Sequence, residues 1–334
     1  MKRILILAIC IFSFESSFAC DICGSYMGVT PYKNFSSVGL FYRYRSFNGY
    51  NINDQKHKIF PTSIFNPNAK IAHGGVLMGA NGTQNLDSLY PKTDYDVYRV
   101  YEARAKFFFH KRIEINAIVP FYINSSKEQT AKETITGIGD MSIFLGYHLI
   151  SKLDTPKWKH RLVLGLGMKV RTGKYFLANS SNIRFDPLLQ PGTGSNDWLI
   201  YTNYLIGKKN LAFNTTFLYK VNGENIYKEK IANSITNHSS LFYVLKIKNL
   251  QLMPSVMFYY EHTDGLYRNN EYLLNTRMTE AMLGPGLDIL YKGFMLSSGI
   301  QFSTYSASGQ TNPRSAGRLI VGLSYTLLQK KFLL

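Results

Sequence analysis

Beyond its first residues the chain contains no apolar run approaching about eighteen residues, so no later segment can cross a bilayer as a helix, and a helical inner-membrane protein is excluded. Cysteine is scarce, with three residues in the whole chain. Cys10 sits in the N-terminal apolar segment, leaving Cys20 and Cys23 as a single CDIC pair. Acidic residues are few beside basic ones, 21 against 38, for a formal charge of +17. The seven histidines, His57, His73, His110, His148, His160, His238 and His262, are scattered without metal-ligand spacing, which argues against a zinc enzyme. The glycine-bearing segments are not followed by a helix that could offer its terminal amides, so none reads as a phosphate loop.

The N-terminus carries Lys2 and Arg3, an apolar run from Ile4 to Phe14, and then Ser17-Phe18-Ala19. These are the charged, apolar and small-residue parts of a secretory signal, so residues 1–19 are expected to direct export. An exported chain meets no cytoplasmic nucleic acid, and its positive charge points instead to anionic lipopolysaccharide or anionic solutes. Residues 20–35 then form a periplasmic N-terminal segment. Its Cys20 and Cys23 are open to three readings: an oxidised loop in an oxidising compartment, a two-thiolate metal or redox site, or a lipid-anchored terminus at Cys20.

From residue 36 to residue 334 the chain alternates. Met141, Ile143, Leu145, Tyr147 and Leu149 interleave with Asp140, Ser142, Phe144, Gly146 and His148, and Leu162, Leu164, Leu166, Met168 and Val170 interleave with Val163, Gly165, Gly167, Lys169 and Arg171. A period of two gives a strand two faces, here one apolar and one small or charged. No helix or second sheet is legible to cover the apolar face, which leaves hydrocarbon as its neighbour. The pattern recurs in about twelve segments, with Pro120, Pro254 and Pro285 interrupting three of them. Short connections such as 110–112, 207–210, 248–249 and 291–293 alternate with long ones at 48–94, 125–136, 173–197, 222–236, 263–277 and 306–317. The expectation is an all-β, antiparallel up-and-down transmembrane barrel in the outer membrane, about twelve strands, both termini periplasmic. Tyrosine and phenylalanine, 24 and 22 against two tryptophans, suit interfacial girdles.

Gly137-Ile138-Gly139-Asp140 opens one strand, the next ends Lys169-Val170-Arg171-Thr172-Gly173-Lys174, and Gln190-Pro191-Gly192-Thr193-Gly194-Ser195-Asn196-Asp197 follows. In this order the three elements resemble the phenol meta-pathway transporter family of outer-membrane proteins, over about sixty residues and with Arg171 where that family has proline. The resemblance implies an outer-membrane barrel that passes small, often apolar or aromatic, molecules. Read on their own chemistry, Gly192 and Gly194 allow positive φ in a tight loop and Asp197 can accept from nearby amides, giving a rigid loop or a ligand cradle. Gly137 and Gly139 mark a bulge or a close backbone approach.

Parity directs Arg43, Arg45, Arg104, Lys106, Lys169, Arg171, Lys220, Lys246 and Arg318 into the lumen, opposed by Glu102, Glu114, Asp140, Glu261, Glu280 and Asp288. Such a basic lumen either selects solutes or props itself with salt bridges. Two long loops are apolar and offer Phe60, Phe65, Phe176 and Phe185 for a constriction. His238 and Ser240 share a strand face, an arrangement similar to that of twelve-stranded outer-membrane phospholipases, but they point to the lumen, away from lipid. The reading is therefore a non-enzymatic barrel passing small solutes, requiring no cofactor. Its alternatives are a phospholipase using Ser240 and His238, or an adhesive or structural barrel acting through its loops.

Overall fold

The computed structural model describes residues 34–51, 95–128, 131–273 apart from 154, 156, 157, 180, 181 and 183, 278–308 and 312–327. The expected export segment, Cys20, Cys23, Phe60 and Phe65 lie outside these residues.

The strands, in chain order, are β1 (Ser37–Asn51), β2 (Tyr95–His110), β3 (Ile113–Glu128), β4 (Ala131–Ile138), β5 (Met141–Lys152), β6 (Lys159–Val170), β7 (Asp197–Lys208), β8 (Leu211–Val221), β9 (Glu229–Ile231), β10 (Ser234–Tyr243), β11 (Leu245–Ile247), β12 (Leu250–Thr263), β13 (Leu266–Arg268), β14 (Glu271–Leu273), β15 (Met278–Tyr291), β16 (Phe294–Ser308) and β17 (Asn312–Thr326). All but β9, β13 and β14 join one antiparallel sheet. The β1–β17 and β10–β12 pairings close it, so no edge is left for lipid to face. β4 and β5 lie end to end against β3, and β10 and β11 end to end against β12, making a wall of twelve strands.

The wall is inverted relative to a water-soluble barrel. Ile143, Leu145, Tyr147 and Leu149 of β5 and Leu164 and Leu166 of β6 are exposed outward, while Phe144, Gly146, His148, Val163, Gly165 and Lys169 are buried inward. A one-residue register shift between His148 and Ile150 then turns Leu149 and Ile150 both outward. Trp158 and Trp198, at opposite ends of the wall, are 47% and 63% exposed on its outer face, where interfacial anchors belong.

At the end where both termini lie, tight turns reverse the chain. Lys209, Lys248 and Lys292 take φ of 52°, 52° and 46° there, matching the twist of the flanking strands. Leu327 N donates to Ser36 O at the same end, placing the start of β1 and the end of β17 together. At the opposite end β9, β13 and β14 form a separate three-stranded sheet over the mouth.

The interior is packed. Leu153, Leu205, Ala212, Phe242, Val244 and Met253 form an apolar layer near the short turns. Ile118, Phe144, Val163, Leu199, Tyr201 and Leu218 form a second one on β3, β5, β6, β7 and β8.

Candidate functional site

The lumen carries its charges as paired networks. Glu102 on β2 receives Arg43 Nε at 2.9 Å and Nη2 at 2.5 Å, and Arg104 Nε at 2.8 Å. Arg45 on β1 reaches across to β12 and β15, with Nη1 2.6 Å from Glu261 Oε2 and Nη2 2.5 Å from Glu280 Oε2. Glu261 and Glu280 are register partners, so Arg45 separates two carboxylates that would otherwise repel. Nearer the short turns, Glu114 gathers Lys106 at 3.6 Å, His148 Nε2 at 3.0 Å and the Tyr201 hydroxyl at 3.3 Å. Arg318 stacks over Tyr259 at 4.1 Å.

A knot built on Asp140 joins the wall to the loop at 171–196. Gly139 N donates to Pro120 O at 2.8 Å, and the strand is broken there between β4 and β5. The break aims Asp140 at the loop. Its Oδ1 accepts Gly173 N at 2.9 Å, and its Oδ2 accepts Thr193 N at 2.8 Å and the Thr193 hydroxyl at 2.9 Å. Lys169 Nζ stands 3.2 Å from Asp140 Oδ2 and 2.6 Å from Asp197 Oδ2, and also contacts Thr193 Oγ1. Asp197 Oδ1 accepts from Ser195 Oγ and Gly223 N. The three motifs noted in the sequence thus converge on one buried carboxylate–ammonium–carboxylate row.

The glycines of the knot serve close approach. A Cβ on Gly139 would lie 2.2 Å from Tyr122 Cε2, and one on Gly192 would lie 2.8 Å from the Gly173 backbone. Gly194 takes positive φ, 72°, as expected of this loop; Gly192 does not, and its requirement is the contact with Gly173.

Outside the membrane span, Glu229 on β9 is the hub of the cap. Arg184 holds it through both nitrogens at 2.8 Å, Arg268 at 2.9 Å and the Tyr175 hydroxyl at 2.5 Å. Burial pushes its carboxyl up, but the Arg184 and Tyr175 hydrogen bonds prevail and hold it at about 2. Burial and the same carboxylate push the Tyr175 hydroxyl upward. Arg184 also lies over the Tyr175, Phe176 and Tyr227 rings.

Several expectations on individual residues change. Arg171 and Lys246 are exposed: Arg171 follows the end of β6, and Lys246 sits on β11 at the short-turn rim, where inward parity no longer means enclosure. Phe176 stacks on Tyr227 at 4.6 Å within the cap, half exposed, and Phe185 lies partly buried in the same loop. The loop residues that meet side chains of the wall are Leu189 and Thr193 instead, with Asn124 Nδ2 donating to Leu189 O, while Gln190 bonds within the loop to Leu177 and Phe185. Asp197 does accept a backbone amide, Gly223 N, as expected, but it is also fully buried between Lys169 and Lys220, so the lumen is closer to charge balance than its basic parity list implied. Its place at the first residue of β7 was the available signal. His238 and Ser240 are both buried on the lumen face, and Ser240 Oγ has no hydrogen-bond partner, so no serine–base contact is formed. Among the described residues no three His, Cys, Asp or Glu side chains are grouped to hold a metal.

No family model and no curated protein matches this chain. Among solved structures it is similar to an outer-membrane channel from Pseudomonas putida F1, at a TM-score of 0.56 and 13% identity, over 91% of this chain and 99% of that one. The fold is that of an outer-membrane β-barrel. Weaker likenesses are to the β domain of the Bordetella autotransporter BrkA, at 0.43 and 9% identity over 87% of this chain and 100% of that one, and to a Pseudomonas aeruginosa FadL homologue, at 0.35 and 9% over 93% and 99%. At these identities the comparisons speak to architecture and not to a shared solute.

Proposed function

We propose that this outer-membrane barrel is a channel for small aromatic or anionic solutes, related in kind to the phenol meta-pathway transporters, and that its path runs along the β10–β16 wall. One observation carries the reading. On that wall Thr236 Oγ1, Ser240 Oγ, Thr263 Oγ1, Glu280 Oε1, Ser297 Oγ and both amide atoms of Gln301 are buried without a protein partner. Buried polar atoms left so are expensive unless solvent or solute reaches them. They run from the cap end of the wall, at Thr263 and Glu280, to the short turns, at Ser297, and so trace a polar track beside the salt-bridged β1–β8 half. The loop anchored on Asp140 stands across the lumen and is held by hydrogen bonds and ion pairs, which can open. The convergence of the three family-like motifs on Asp140 supports the kinship. Exposed Arg171, Lys174 and Lys228 near the loops suit contact with lipopolysaccharide phosphates.

Planar-bilayer recording and liposome swelling on the purified barrel test this. Small discrete conductance steps, enlarged in Asp140→Ala, are expected. Absence of both current and solute uptake in the native protein and in Asp140→Ala would overturn the reading.

A further inference from the structure

The short-turn end of the wall carries charge of one sign. Lys111, Arg112, Lys152, Lys208, Lys248 and Lys292 are exposed there, and among the described residues of those turns no aspartate or glutamate is exposed. The opposite end is mixed, with Glu224 paired to Lys228 and Glu229 to Arg184 and Arg268. A rim of one sign draws anions to it.

At one place on this rim two of the cations frame an aromatic stack on the outer face. The Trp158 and His160 rings stack with centroids 6.3 Å apart, and the His160 and Tyr204 rings continue the stack at 6.3 Å. His160 Nδ1 and the Tyr204 hydroxyl are 3.0 Å apart, which fixes the two rings against each other across β6 and β7. Lys208 Nζ lies 5.0 Å from the centre of the Trp158 ring, so its ammonium stands on the outside of the wall. From the other side, Lys152 on β5 is the register partner of His160, and such partners are about 5 Å apart. Neither lysine has a carboxylate partner among the described residues. Toward the middle of the wall the same face continues as exposed Leu149, Ile150, Leu164 and Leu166. A ligand that fits here is anionic at one height and hydrocarbon at the next.

We propose that this corner of β5, β6 and β7 is a binding site for an anionic glycerophospholipid, its phosphate held between the Lys152 and Lys208 ammonium groups and its glycerol and upper acyl chain lying on the Trp158–His160–Tyr204 stack. With the Tyr204 hydroxyl donating to Nδ1, the imidazole proton sits on Nε2 and is left to donate to the same phosphate. Aromatic rings at headgroup height and long cationic side chains reaching out to the interface are the two means by which a membrane protein holds a lipid in place. Short turns face the periplasm in barrels of this kind, so the lipid is a phospholipid of that leaflet and not lipopolysaccharide. The site stands independently of solute conduction, because it lies on the outer face and not on the loop or the polar track.

The test uses the chain's own reporter. Trp158 and Trp198 are its two tryptophans, so Trp198→Phe leaves Trp158 as the sole indole. The purified barrel carrying that change is reconstituted into phosphatidylcholine bilayers containing increasing brominated phosphatidylglycerol, and quenching of Trp158 reads the preference for the anionic lipid at the site. A preference on the order of tenfold is expected at low salt, weakening as salt rises. Lys152→Gln combined with Lys208→Gln is expected to bring it close to one, while Lys248→Gln combined with Lys292→Gln, elsewhere on the rim, is expected to leave it unchanged. No preference in the barrel with both lysines, a preference that survives the first pair of changes, or one lost equally in the second would overturn the site. Displacement of the brominated lipid by lipopolysaccharide at lower concentration than by unbrominated phosphatidylglycerol would overturn the assignment to a phospholipid. Conductance of the same samples reports on the channel reading separately.

Discussion

Lys169 Nζ lies 2.6 Å from Asp197 Oδ2, both side chains almost fully buried, at the point where β6 leaves the wall and β7 returns to it. This ion pair closes the loop at its two ends, and Asp140 fastens the middle. A buried ammonium between two carboxylates is stable because each member is satisfied; removal of one leaves the others uncompensated.

Lys169→Met is therefore expected to destabilise the barrel by about 3–5 kcal/mol, and Asp197→Asn by less, because its amide keeps hydrogen bonds. The loss should appear as a lower temperature for the heat-modified gel shift. The double variant is expected to recover part of it, and fully additive losses would show that the pair is not coupled.

Arg45→Lys is not a conservative change here. One ammonium cannot reproduce the fork that meets Glu261 and Glu280 together. The variant should conduct more and show greater cation preference by reversal potential in asymmetric salt, since two adjacent carboxylates then face the lumen with weaker compensation. A reversal potential equal to that of the native barrel would contradict this.

The cap should loosen in acid. The Glu229 carboxyl is held at about 2, below its ordinary value near 4.5, so its stabilising contribution is complete above about 4.5 and fades as pH falls toward 2. Limited proteolysis of the cap with an acid-active protease should accelerate across that window. In Glu229→Gln the charge-dependent part of the acceleration should vanish, the cap being loose already at neutral pH.

Gly139→Ala must displace the Tyr122 ring and the Pro191 carbonyl, whereas a Cβ on Gly137 meets Pro191 Cγ at 3.0 Å. The first substitution is expected to cost about 1–3 kcal/mol as overpacking, and the second distinctly less. Comparing the folded fraction of both variants after refolding into detergent checks the order.

On the lipid side, Leu166 is 63% exposed in the middle of β6. Leu166→Arg should cost about 2–4 kcal/mol in a bilayer, against almost nothing for Leu166→Phe. Equal stability of the arginine variant in liposomes would place that face away from hydrocarbon.

Strand number, the direction of each face and the membrane itself were legible in the sequence. A period of two is a local property, and solvent selects its two faces strand by strand, so Leu145 and Leu166 reveal their surroundings without any knowledge of their neighbours. The alternation of short and long connections was legible only in part: the stretches 125–136 and 306–317, expected as long loops, are mostly strand, with β3 running to Glu128 before β4 starts at Ala131 and β16 running to Ser308 before β17 starts at Asn312. Partnership was not legible. That Arg45 crosses the lumen to Glu261 and Glu280, that Asp197 is enclosed by Lys169 and Lys220, and that Lys246 and Arg171 escape enclosure depend on barrel closure and on where a strand leaves the wall. Parity carries no information about height along the axis. Likewise Gly192 and Gly194 marked a tight loop in the sequence, and Gly137 and Gly139 a bulge or close approach, but only the folded chain brings the loop onto Asp140, because contacts between segments more than thirty residues apart are set by register and closure and leave no periodic trace.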